Sequence, residues 1–155
     1  VQGDEIAARI NVVKGRRMAD TEFTEARLRQ ERIVGDHMHA QAEGTLGDDG
    51  DPLDALVLVG DPTFPGCRIR VRPIGVFYMT DEKGSDEKVL CVSLRDPTWL
   101  RVHDIHDLQP EFRNEIEHFF QVYKDLEKRK VATRGFGNRA EALEIIEAAR
   151  RRAAG

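Results

Sequence analysis

The sequence predicts an α+β, mainly β fold: a small antiparallel barrel or sheet with C-terminal helices packed on it. Three observations carry this. Short apolar runs of strand type fall between Leu53 and Val92. After Pro110 the apolar spacing becomes that of a helix. Strands therefore come first and helices last, the order of a sheet with helices packed against it.

Ahead of Leu53 the pattern is weak. Ile10–Val13 reads as a short strand, Glu22–Arg32 as a charged segment of little periodicity, and Gly35–Gly44 as a loop holding two histidines. Leu53–Val59 is β-branched and leucine-rich between Pro52 and Gly60-Asp61-Pro62, which predicts a strand. Cys67-Arg68-Ile69-Arg70-Val71-Arg72 alternates, with Cys67, Ile69 and Val71 inward and three arginines outward. Ile74–Met79 and Lys88–Val92 predict two more strands, joined as a hairpin by the polar loop Thr80–Glu87. Phe112, Ile116, Phe119, Phe120, Tyr123 and Leu126 recur at helical spacing and place a helix over 111–128. A second helix starts at Asn138, with Glu141 as its capping-box partner, and runs into Ala149.

The 155 residues suit one domain, 1–155. Hydrophobic residues at 40% argue against disorder, and a net charge of −4 argues against a nucleic-acid partner. Two cysteines, Cys67 and Cys91, exclude a disulfide scaffold or Cys-rich zinc module and read as buried thiols of a reducing compartment. The longest apolar run, Ala55–Val59, is too short to cross a bilayer, so no membrane partner is expected. Val1-Gln2-Gly3-Asp4-Glu5 has no basic region leading into an apolar stretch, and a cytoplasmic protein without a signal peptide is expected.

The chemistry concentrates in Gly47-Asp48-Asp49-Gly50-Asp51-Pro52-Leu53-Asp54, where four carboxylates fall within seven residues at the mouth of a strand. In extended chain Asp49 and Asp51 point to the same side. Two carboxylates about 4 Å apart repel by roughly 4 kcal/mol at an effective dielectric of 20, so cations or hydrogen bonds must offset the cluster. Oxygen ligands suit Mg²⁺, Mn²⁺ or Ca²⁺. An EF-hand is excluded, because the loop counted from Asp49 lacks the required Gly and terminal Glu. A solvated acidic turn is the plain alternative. Asp81, Glu82 and Asp86 lie in the hairpin loop, followed by Lys88. If this loop and the first cluster share a sheet, seven carboxylates converge, with Lys88 and Lys124 as cations beside them. Acids plus lysines suit a metal-bridged phosphate. The histidines have no zinc spacing, and no P-loop or nucleophile elbow is present.

Asp49-Gly50-Asp51-Pro52-Leu53-Asp54 resembles the Asp-Gly-Asp-Pro-x-Asp signature of the family I soluble inorganic pyrophosphatases of bacterial type. The likeness extends through Phe64-Pro65-Gly66, Arg72-Pro73-Ile74-Gly75, the stretch Thr80-Asp81-Glu82 to Lys88, and His118-Phe119-Phe120 to Glu127. It implies a five-stranded OB-like barrel with helices packed on it. It further implies hydrolysis of pyrophosphate to two phosphates with several Mg²⁺ ions, Mn²⁺ being possible, in a homo-oligomer that is a hexamer in bacterial members. Carried over by motif, Asp49, Asp54, Asp81 and Asp86 would hold metal. Asp51 would orient or deprotonate the attacking water, with Asp81 the other candidate base. Glu82 would support the water network, and Lys88, Tyr123 and Lys124 would hold phosphate oxygens.

The N-terminal part departs from the family pattern. The family's Ile-Glu-Ile-Pro falls on Ile10-Asn11-Val12-Val13, which lacks the acid. Its Lys-Tyr-Glu falls on Asp20-Thr21-Glu22, leaving Glu22 in a supporting place but reversing the charge of a phosphate-binding lysine. Its Asp-Arg pair falls on Glu31-Arg32, by which the resemblance implies that Arg32 would be a phosphate ligand, and its Tyr-Gly falls on His39-Ala40. The competing reading is a weakly active or inactive relative that binds metal or phosphate and acts through a protein partner.

Overall fold

The structure, a computed structural model, describes residues 6–10, 37–60, 68–126 and 131–155. Five strands close a ring. β1 (Ile6–Ile10) pairs antiparallel with β2 (His37–Ala42), and β2 pairs antiparallel with β3 (Asp54–Leu58). β3 runs parallel to β6 (Lys88–Ser93), which lies antiparallel to β4 (Arg68–Asp81). The start of β4 returns to β1, Ile6 opposite Val71. The barrel expected from the resemblance is present, but it is mixed rather than antiparallel as the order of elements predicts, because β3 and β6 run side by side in the same direction. β5 (Gly84–Ser85) and β7 (Ala132–Gly137) attach to the other end of β4.

Several boundaries differ from the sequence expectation. The two strands expected at 67–72 and 74–79 are one strand of 14 residues. Pro73 falls where the β4–β6 register shifts, and a residue without an N–H fits there because the ladder is already broken. The first strand is Ile6–Ile10, and residues 11–13 lie outside the described residues, as do Glu22–Arg32 and Cys67. The expected histidine loop is largely strand β2, held by partners on both sides. β7, with two glycines in six residues, carries no strand-like alternation and was not expected.

Both faces of the sheet are covered, which explains the unbroken apolar run of β3. Ala55, Val57 and Val59 join Val71, Val89 and Cys91 on one face, closed by Ala142, Ile146 and Ala149 of a C-terminal helix. Leu56 and Leu58 join Ile74, Phe77, Met79, Leu90 and Val92 on the other face, closed by Ile116, Phe119 and Phe120. These last three lie on α1 (Pro110–Leu126), whereas the first helix face belongs to α2 (Arg139–Ala154). Phe77 lies 5.3 Å from Phe120 and 4.9 Å from Phe136, ring centre to ring centre. The capping box at α2 is formed: Asn138 accepts from the Glu141 N–H and Glu141 accepts from the Asn138 N–H. Burial pushes the Cys91 thiol well up, as expected of an inert core thiol.

The arginine row is not uniformly outward. Arg68 is exposed and pairs with Glu43. Arg72 is half-buried, and its Nη2 donates to the carbonyls of Trp99 and Val102 at 3.1 and 2.7 Å. It holds the segment after the short 3-10 turn Pro97–Trp99. Among the described residues no helix is long and apolar enough to cross a membrane.

Candidate active site

Three segments bring carboxylates to one end of the sheet. Asp54 opens β3 and Lys88 opens β6, and because these strands are parallel with Ala55 opposite Val89, the two residues lie side by side. Asp81 ends β4, which runs antiparallel to β6 and so finishes at the same end. Asp86 is placed by its backbone N–H, which donates to the Met79 carbonyl at 2.8 Å.

Lys88 joins two of these acids. Its Nζ donates to Asp54 Oδ2 and to Asp86 Oδ1, each at 2.6 Å. The lysine is 6% exposed. Burial alone would depress its pKa, but the two carboxylates outweigh burial and raise it above the ordinary 10.5. The ammonium is therefore held in its charged form between two accepting carboxylates.

The signature loop is not extended, so Asp49 and Asp51 are not set side by side by strand alternation. Gly50 N–H donates to the Gly47 carbonyl and Gly47 N–H to the Asp51 carbonyl, at 3.2 and 2.7 Å. Asp49 Oδ1 accepts the Asp51 N–H at 3.0 Å. Gly50 has φ +87°, a conformation that glycine supplies without strain. Aspartate bonding to a backbone N–H two residues on is a turn preference, and it wins here over the extended form. Asp81 does the same, accepting from Lys83 N–H at 2.7 Å.

Convergence is thus narrower than seven acids. Asp54 and Asp86 meet at Lys88, while Asp48 is drawn to Arg152 at 3.2 Å. Glu82 is exposed in the turn beyond β4. Among the described residues no three histidine, cysteine or acidic side chains gather as a ready-made metal site. The donor chemistry still fits Mg²⁺, which commonly takes one or two carboxylates and completes its shell with water and substrate phosphate. Asp54 and Asp86, already holding a cation between them, are such a pair.

Arg32, Glu22 and Asp20 lie outside the described residues, as do the side chains of Tyr123 and Lys124 on α1. Thr45 was not expected. Its buried Oγ1 donates to the Ala42 carbonyl at 2.6 Å and accepts from Leu53 N–H at 3.0 Å, closing the base of the acidic loop. A lone threonine before a glycine-rich loop gives no sequence signal of this.

A family model described as inorganic pyrophosphatase matches residues 14–154. The chain belongs to the inorganic pyrophosphatase family. An inorganic pyrophosphatase of Leifsonia xyli is 53% identical over 107 residues, 68% of this chain and 66% of that protein. One of Streptomyces coelicolor is 56% identical over 106 residues, 68% of this chain and 65% of that protein. The match thus spans just under two thirds of these relatives' own lengths. Among solved structures, the Helicobacter pylori inorganic pyrophosphatase superposes with a TM-score of 0.74 at 39% identity, over 77% of this chain and 72% of that one. The Thermus thermophilus enzyme of this family gives 0.73 at 39% identity, over 76% and 70%.

Proposed function

We propose that the chain hydrolyses inorganic pyrophosphate to two phosphates and needs divalent cations, Mg²⁺ first and Mn²⁺ as a substitute. The observation that carries the reading is the Asp54–Lys88–Asp86 cluster at the sheet end beside the Asp49–Asp51 turn, in a chain of this family. The relatives named above are inorganic pyrophosphatases, and the reaction is taken from them.

Asp49, Asp54, Asp81 and Asp86 are the residues that would hold the cations. Bound there, the cations would make water more acidic and neutralise charge on the phosphoryl group. A water oxygen attacks one phosphorus, the bridging P–O bond breaks, and the second phosphate leaves. Asp51 takes the water's proton, with Asp81 as the other candidate base. Lys88 stays charged at this end of the sheet, next to where phosphate oxygens gather, with Arg32, Tyr123 and Lys124 as the other phosphate ligands. Glu82 and Glu22 support the water network. The proposal extends to a homo-oligomer, hexameric as in the bacterial members the sequence resembles, working in the cytoplasm.

The test is phosphate release from pyrophosphate by purified protein in MgCl₂. Release should stop in excess EDTA and return with Mg²⁺. No release with Mg²⁺ would overturn the hydrolytic reading, and undiminished release in EDTA would overturn its metal requirement.

A further inference from the structure

The turn that carries Asp49 and Asp51 is fastened to the fold at two places. Its base is closed by Thr45 and by the Ala42 N–H, which donates to the Leu53 carbonyl at 2.8 Å. The second fastening comes from the last turn of α2. Leu46 N–H donates to the Ala149 carbonyl at 3.0 Å, and Arg152 Nε donates to the Leu46 carbonyl at 2.9 Å. Both backbone groups of Leu46 are therefore held by one helix end. The next residue, Gly47, donates its N–H to Asp51 at 2.7 Å, so the clamp on Leu46 lies one residue from the bond that sets Asp51.

Arg150 pairs with Glu147 at 2.6 Å, and Arg151 is exposed. Any of the three would suit a helix C-terminus electrostatically. Arg152 is the one that bonds the Leu46 carbonyl, and its Nη1 also lies 3.2 Å from Asp48 in the acidic loop.

We propose that Arg152 is a positioning residue: it holds the acidic turn so that Asp49 and Asp51 are set for cation and water before either arrives. The inference rests on the hydrolytic reading above. A residue that merely fastened α2 would alter the melting temperature and leave the turn's order and its Mg²⁺ affinity alone.

The test compares wild type with Arg152→Ala, Arg152→Lys and the charge-matched control Arg151→Ala. Amide hydrogen exchange is read at residues 46–51 without metal. Mg²⁺ binding to the substrate-free chain is titrated calorimetrically, and phosphate release is measured across Mg²⁺ concentrations. In Arg152→Ala, exchange at 46–51 should quicken by about tenfold, the scale of losing a charge-assisted hydrogen bond. The Mg²⁺ needed for half-maximal binding and half-maximal release should rise by about fivefold from the same loss. Arg152→Lys keeps the charge and one donor nitrogen in place of the fork and should recover part of both, while Arg151→Ala should match wild type. Unchanged exchange and Mg²⁺ affinity in Arg152→Ala, with wild-type release intact, would overturn the positioning role alone. Equal effects in Arg151→Ala would reduce it to bulk charge and overturn it too. A wild type releasing no phosphate would sink the hydrolytic reading, and the positioning role with it.

Discussion

Lys88 carries a full charge in a nearly closed environment, and Asp54 and Asp86 make that tolerable. Its folded pKa lies above the ordinary 10.5, so its contribution to stability is whole at neutral pH and is lost only as pH rises above that value. Lys88→Met keeps the stem but leaves two carboxylates facing each other. Both are partly exposed, so the cost should be about 1–3 kcal/mol rather than that of a fully buried pair. Mg²⁺ should restore more stability to the variant than it adds to wild type, as judged by urea midpoints in EDTA and in Mg²⁺. Equal losses in the two media would refute the pairing of these acids around a cation. Asp51 sits on an exposed turn whose shape is set by its backbone, so Asp51→Asn should spare the fold and reduce phosphate release by about 10²–10⁴-fold. Asp48→Asn, which touches only Arg152 in the described contacts, should change release little. Parallel losses at the two positions would mean that charge density, not a base, matters.

At the scale of elements, what could be read from sequence was whatever local spacing encodes. β3, the halves of β4, β6 and both helices announce themselves by period and by caps, although α2 runs to Ala154, five residues past its expected end at Ala149. β2 and β7 do not, because partners rather than composition make them strands. The acidic motif was legible as a motif, yet its turn was not, since short-range carboxylate-to-backbone bonds replaced the extended form. Nor could local spacing show Lys88 beside Asp54, a contact created by a parallel register across 34 residues. Gly75 shows how tightly the elements meet. A Cβ there would lie 2.8 Å from the Gly137 carbonyl of β7 and 2.9 Å from Ile105 Cβ. Gly75→Ala should therefore cost about 1–3 kcal/mol by overpacking, measured by urea denaturation. A neutral result would mean that β7 shifts freely.

Across the whole molecule, β3, β4 and β6 send alternate residues into two separate apolar clusters, each closed by a different helix. Neither cluster can lose its strands without exposing the other. Unfolding should therefore be a single transition. The lone Trp99 reports from the α1 side by fluorescence, and far-UV circular dichroism reports from all elements. Their urea curves should coincide, and an earlier fluorescence transition would show the α1 side melting on its own.

The clamp on Leu46 also has a consequence in time. Arg152 follows Leu46 by 106 residues. At 5–20 residues per second of synthesis, the ribosome makes the acidic turn about 5–20 s before the helix end that fastens it. Throughout that interval the most concentrated negative charge of a nascent chain has only its local fastening through Thr45 and Ala42, and the barrel strands β4 and β6 are made before the turn acquires its second hold.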